Sequence, residues 1–288
     1  MNQTTCRCHI HTEDDIDIAN AAISMRDVCF SYGNNEVLHN VTLSIPKKSI
    51  AAVVGPNGGG KTTLLRLMLG DLLPVYGKIH VTGKPPVYAR RKIGFVPQQF
   101  NYDPQFPINV LETVMLGRSA KKTFGFFSEE DREAAFKALA EVGLASMAKR
   151  HFSELSGGQR QRVFVAQALC SDPEILLLDE PTANVDAKTE NDLYSLFKNL
   201  NRDKTLVIVS HNLRVIASYA THIIHVNRTA DMHELSKDNA RMLVPLPGSN
   251  EQSLVDDNYS AHLESLTNFM NSPHNAQFCN CPNNEKEK

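Results

Sequence analysis

The chain has 288 residues and a mass of 32.0 kDa, enough for a sizeable buried core. Its 30 basic residues against 32 acidic ones leave a net charge of −2. That excludes the strong basic excess of a protein built to coat nucleic acid or a membrane surface. With 22% charged residues, 15 Gly and 14 Pro, neither wholesale disorder nor a collagen-like fibre fits.

No apolar run approaches the ~18–20 residues needed to cross a bilayer. The first fifteen residues, MNQTTCRCHIHTEDD, carry acids where a secretory signal would carry its apolar segment. The expectation is a protein made and kept in the cytoplasm, with its six cysteines reduced. Cys29 and Cys170 sit among apolar residues and read as core.

Residues 1–22 read as a polar tail. Strands are expected at 28–32, 41–45 and 49–54, with a turn at 33–35. A helix over 62–69 follows a glycine-rich loop, and strands return at 77–82 and 93–96. The pattern is helical from 110 to 144, with a clear start at Ser128, a cap followed by acids in the first turn. A further helix is expected over 156–169. The continuous apolar runs 175–178 and 206–209 are those of strands buried on both faces. Helices are expected at 188–199 and 212–220. Strands alternating with helices predict an α/β fold with a mostly parallel sheet core. After about residue 226 the pattern decays. Residues 231–288 read as an extension that is partly disordered or partner-binding, with a short amphipathic helix over 259–270.

Three motifs carry chemistry. Gly55-Pro56-Asn57-Gly58-Gly59-Gly60-Lys61-Thr62, followed by Thr63, fits the phosphate-loop pattern at every required position, between a strand and a helix. Its glycines let successive N–H groups cradle phosphate oxygens. The helix behind points its positive end at the same charge. Lys61 reaches the β and γ phosphates, and the Thr62 hydroxyl faces Mg²⁺. Second, an apolar strand ends in Asp179-Glu180, 118 positions after Lys61, at the mouth of the sheet where ligands bind. Asp179 is placed for Mg²⁺ and Glu180 for the attacking water. Third, Leu155-Ser156-Gly157-Gly158-Gln159 is a second glycine turn opening a helix, hence a second anion site.

Together these motifs resemble the ATP-binding cassette (ABC) ATPases over roughly residues 23–230. The resemblance implies a P-loop NTPase fold with an N-terminal antiparallel β subdomain and a helical subdomain over about 100–170. It implies a head-to-tail homodimer, each ATP lying between one subunit's loop and the other's Leu155–Gln159 segment. Tyr32 matches the aromatic that stacks on adenine; the other reading is a half-buried strand tyrosine. Gln98 matches the glutamine that senses Mg²⁺ and the γ-phosphate, with Gln99 a near competitor. Asp186 matches the D-loop, where Asn184 and Val185 depart from the family's usual Ala-Leu. His211 matches the switch histidine. Ser156 and Gly158 would donate to the partner's γ-phosphate.

The same resemblance implies separate integral membrane permease subunits, gripped near residues 100–106 and the helical region to about 145. An extracytoplasmic solute-binding protein would act indirectly, and the chain would sit peripherally on the cytoplasmic face of the cell membrane. A non-transport cassette working on ribosomes or DNA is the rival class. Against it stand one cassette per chain and no sustained heptads, and no nucleic-acid partner is expected. Subfamily texture at Phe95-Val-Pro-Gln98, 106–110 and 114–118 resembles zinc and manganese uptake ATPases. Iron-siderophore, haem and cobalamin importers share much of it. The expected cargo is a divalent metal ion, zinc first.

Cys6, Cys8, His9 and His11 crowd four zinc-type ligands into six positions, and His274, Cys279 and Cys281 add three near the other end. The spacing matches no standard zinc module. The alternatives are an incidental polar tail and a regulatory zinc site that restrains the ATPase.

Overall fold

A computed structural model describes residues 21–98, 106–121, 126–183, 185–210, 212 and 218–235. The expected zinc ligands of the N-terminal tail, and also Asn184, Gln99, His211 and the helix expected at 259–270, lie outside these residues. So does most of the helix expected at 212–220.

The apolar runs form the centre of a six-stranded sheet. Its strands are β3 (Ile50–Val54), β5 (Ile93–Val96), β6 (Ile175–Asp179), β7 (Thr205–Val209), β8 (His222–Asn227) and β9 (Thr229–Glu234). Their order is β5-β6-β7-β3-β8-β9, parallel throughout except for the antiparallel β9. Every residue of β3, β6 and β7 is buried, which is why these strands read as unbroken apolar runs.

Side chains still alternate between the two faces. Leu176, Leu178, Leu206 and Ile208 enter one core cluster, with apolar residues of α3 (Val110–Met115), α4 (Glu129–Glu141), α5 (Gly157–Leu169) and α6 (Ala187–Leu200). Ile175, Leu177, Val207 and Val209 enter the other. That second cluster holds α1 (Lys61–Leu69), Ala89 of the short α2 (Pro86–Ala89) and an antiparallel sheet of β2 (Asn35–Pro46), β1 (Ala21–Tyr32) and β4 (Tyr76–Val81). Complete burial of each such aliphatic side chain is worth about 1.5–3 kcal/mol.

The helices start where the sequence signals them. Ser128 caps α4 in a reciprocal box with Asp131, and Ser156 caps α5 in the same way with Gln159. Asp131 is buried and forms an ion pair with Arg118 Nε at 2.6 Å, which ties α4 to the segment after α3.

Three boundaries differ from the sequence reading. β1 begins at Ala21, before the expected edge at 23, and β2 is far longer than 41–45. β9 crosses the expected edge at 230 and pairs along its whole length with β8. Its inward positions are Ala230 and Met232, too small and too flexible to mark a strand. The β8–β9 turn is made by Arg228 at φ +63, where turn rules look for Gly or Asn.

Candidate functional site

The phosphate loop leaves β3 at Gly55 and enters α1 at Lys61. Two neighbours shape it. A Cβ on Gly55 would lie 2.0 Å from the Val226 carbonyl oxygen, so β8 presses directly on the loop. Gly60 sits at φ +103 against the Leu38 side chain of β2. The Arg228 N–H donates to the Gly59 carbonyl at 3.0 Å, and the Arg228 carbonyl accepts from the His39 N–H at 2.7 Å. The β8–β9 turn therefore joins the loop to β2.

Helix α1 differs from α3 to α6 at its start. Each of those has a side-chain cap, whereas Gly60 caps α1 with none. The N–H groups of its first turn are thus left for an external acceptor, the arrangement that binds phosphate. Lys61 is buried and curls back, donating from Nζ to the carbonyls of Gly55 and Pro56, both at 2.9 Å. Burial lowers its pKa, opposed by the charges of Glu180 and Asp179. A phosphate beside it would favour the charged ammonium.

The carboxylates stand where the sequence puts them. Asp179 ends β6, buried, with the Thr62 hydroxyl hydrogen-bonded to its side chain. Burial pushes its carboxyl up. The Thr62 bond pulls it down, Glu180 pushes it up, and Arg66 and Lys61 pull it down. Its Oδ1 is buried with no hydrogen-bond partner among the described residues. An orphaned anionic oxygen beside a threonine hydroxyl is a fitting donor set for a hard cation such as Mg²⁺. Glu180 follows at φ +50 and accepts from Gln98 Nε2 at 2.6 Å. Gln98, at the end of β5, thus bridges to the residue after β6.

The second glycine turn is built elsewhere. Leu155 is buried, and Ser156 to Gln159 open α5 among the helices. Asp186 caps α6, accepting from the N–H groups of Lys188 and Thr189 and from Thr189 Oγ1 at 2.6 Å. These bonds hold its carboxyl below the usual range, the Thr189 side chain contributing most. Thr189 also fills the space over Gly158, where a Cβ would meet its Cγ2 at 2.3 Å. The glycine turn and Asp186 therefore share one neighbour. Tyr32 ends β1, about half exposed, with its ring edge-on to Phe30.

Sequence reasoning missed a polar network behind the site. Glu190 on α6 accepts from Thr182 Oγ1 at 3.3 Å and from Asn212 Nδ2 at 3.2 and 3.3 Å. The Asn212 N–H donates to Ser210 Oγ, which also pairs with the buried Tyr194 hydroxyl at 3.0 Å. The network ties the segment after Glu180 to both sequence neighbours of His211. The available signal was positional: Ser210 and Asn212 flank the histidine, and Glu190 falls one helical turn after Asp186.

A phosphate-binding loop, an orphaned aspartate and a bridged glutamate at the mouth of a parallel sheet define a P-loop nucleotide-binding domain. The ABC transporter family matches residues 38–183, about half of the chain, and the chain belongs to it. It is 39% identical to the zinc uptake system ATP-binding protein ZurA of Listeria innocua, covering 73% of this chain and 84% of that protein. It is 37% identical to the manganese transport system ATP-binding protein MntB of Bacillus subtilis, covering 72% and 85%. Among solved structures, it resembles the dimeric post-hydrolysis state of an ATP-binding cassette bound to ADP and Pi. That match has 32% identity and a TM-score of 0.64, and covers 74% of this chain and 99% of that one.

Proposed function

We propose that the chain is the ATP-hydrolysing subunit of an importer of divalent metal ions, with zinc ahead of manganese as cargo. It works as a head-to-tail homodimer beside integral permease subunits on the cytoplasmic face of the membrane, served indirectly by an extracytoplasmic solute-binding protein. The observation that carries the ATPase reading is the Gln98–Glu180 bridge, set beside Asp179 and the phosphate loop. Among the described residues no helix is long and apolar enough to cross a membrane, consistent with a separate permease.

The geometry supports the following chemistry. The N–H groups of the loop and of α1 hold the phosphates, and the Lys61 ammonium neutralises charge on the transferred group. Mg²⁺ held by Thr62, Asp179 and Gln98 would neutralise further phosphate charge when bound. Glu180 orients the attacking water and takes its proton, and His211, by the family resemblance, takes the role of the switch histidine. The partner's turn at Ser156 and Gly158 closes the site, so that ATP joins the dimer and hydrolysis releases it. Exposed Phe106 and Phe126 on the helical side offer apolar purchase to a permease helix.

The cargo reading draws on the likeness to zinc and manganese system ATPases. Its test is the total Zn, Mn and Fe content of metal-limited cells carrying wild-type protein or Glu180→Gln. A selective fall in zinc is expected. A selective fall in manganese would reassign the cargo, and no change in any metal would move it to a chelate such as cobalamin.

A further inference from the structure

The antiparallel sheet carries a cluster that the nucleotide site does not use. Cys29 on β1 and Glu36 and His39 on β2 each bring one donor atom within 4.8 Å of the other two. The register explains how. Between the pairs Val28↔Val41 and Phe30↔Leu38, and again between Phe30↔Leu38 and Ser31↔Glu36, β2 spends one residue more than β1. These bulges turn residues that regular alternation would place on opposite faces towards one another. His39 Nδ1 then lies 3.0 Å from Glu36 Oε1. The buried Cys29 Sγ accepts from the Asn40 N–H at 3.2 Å, a bond that orients the sulfur.

We propose that Cys29, Glu36 and His39 form a Zn²⁺ site within the cassette, through which cytoplasmic zinc slows ATP hydrolysis. Thiolate, imidazole and carboxylate are the zinc donor types, and three of them leave a fourth position for water. A thiolate-containing set disfavours Mn²⁺ and Mg²⁺. Coordination displaces the Cys29 thiol proton to solvent and uses neutral imidazole. Glu36 is exposed and His39 half-buried, so the ion has a solvent-side path.

The route to the nucleotide is short. The His39 N–H donates to the Arg228 carbonyl, and the Arg228 N–H donates to Gly59 in the phosphate loop. Leu38, next to His39, is the side chain packed on Gly60. Phe30, next to Cys29, carries the ring edge of Tyr32. An ion fixing Cys29 to His39 therefore stiffens the strand that walls the loop. The binding site itself does not depend on what the permease carries.

The test uses full-length protein with Cys6, Cys8, Cys279 and Cys281 changed to Ser, so that the tail thiols cannot contribute. Zn²⁺ is titrated against a chromophoric chelator, and Co²⁺ serves as the optical probe. One equivalent of Zn²⁺ is expected to bind, with a sulfur-to-cobalt charge-transfer band that Cys29→Ser removes. The partly exposed His39→Ala keeps the fold measurable and is expected to weaken Zn²⁺ binding about tenfold or more. With Mg-ATP in excess, zinc should slow hydrolysis in the tail variant and leave His39→Ala insensitive, each rate being taken relative to that protein's own zinc-free rate. Retention of the cobalt band in Cys29→Ser, absence of any bound equivalent, or equal zinc inhibition of His39→Ala would each overturn the proposal.

Discussion

Gln98 donates to Glu180 across a 2.6 Å hydrogen bond that joins the ends of two adjacent parallel strands. A carboxylate held this way is oriented before any nucleotide arrives, and a charge-assisted bond of this kind is among the stronger polar contacts. Glu180→Gln is expected to bind ATP normally and to lower kcat by about 10²-fold or more. Gln98→Ala should lower kcat less, with little change in nucleotide affinity. Equilibrium ATP binding and steady-state hydrolysis on the same preparations separate the two effects, and near-wild-type turnover in Glu180→Gln would sink the assignment.

The glycines of the phosphate loop and of the turn that opens α5 should respond differently to an added methyl group. Gly55→Ala drives a Cβ into the Val226 carbonyl, and overpacking of this kind costs about 1–3 kcal/mol. Gly157 has nothing within 4 Å of the position its Cβ would take. Gly157→Ala is therefore expected to leave thermal stability within about 0.5 kcal/mol of wild type. If its surface meets a partner's nucleotide, the same variant loses ATPase activity. A melting curve beside an ATPase assay decides the matter, and full activity in Gly157→Ala would count against the head-to-tail dimer.

Glu190 braces Thr182 and Asn212 without facing the phosphate loop. Removing its carboxylate takes one hydrogen bond from each of those two groups, at a cost of about 1 kcal/mol. Glu190→Ala should lower the melting temperature and kcat together while sparing ATP affinity, and Glu190→Gln should recover part of both. A normal kcat in Glu190→Ala would remove the network from the catalytic account.

Burial holds the Asp179 carboxyl above its ordinary 3.8, so the folded chain binds this proton more readily than the unfolded chain. Stability from this group is therefore lost as pH rises from that ordinary value through the folded one. Asp179→Asn should flatten that part of the pH profile, raise the nucleotide-free melting temperature at neutral pH and abolish stabilisation by Mg-ATP. Melting temperatures of both proteins across the acid range, with and without Mg-ATP, test all three outcomes.

Sequence alone exposed what is local. The loop at 55–62, the acids at 179 and 180 and the turn at 155–159 are contiguous strings whose chemistry survives any packing detail. β3, β6 and β7 were legible because complete burial writes itself as an apolar run. The β8–β9 hairpin was not, because its turn uses Arg228 and β9 turns inward only Ala230 and Met232. Nor were the Glu190 network and the Cys29, Glu36 and His39 cluster. The first rests on side-chain contacts between a loop, a helix and a strand end that no contiguous string announces, and the second depends on two bulges that hydrophobic periodicity does not encode.

The wall of the phosphate loop also sets a schedule. Val226 lies 171 positions after Gly55, and Arg228, which closes the loop against β2, comes later still. During synthesis the glycine string emerges early, yet the strand that shapes it is among the last described pieces to leave the ribosome. A nascent or prematurely terminated chain carries the whole motif without the means to hold it in shape. A chain ended before Val226 is therefore expected to hold nucleotide less tightly than the full chain.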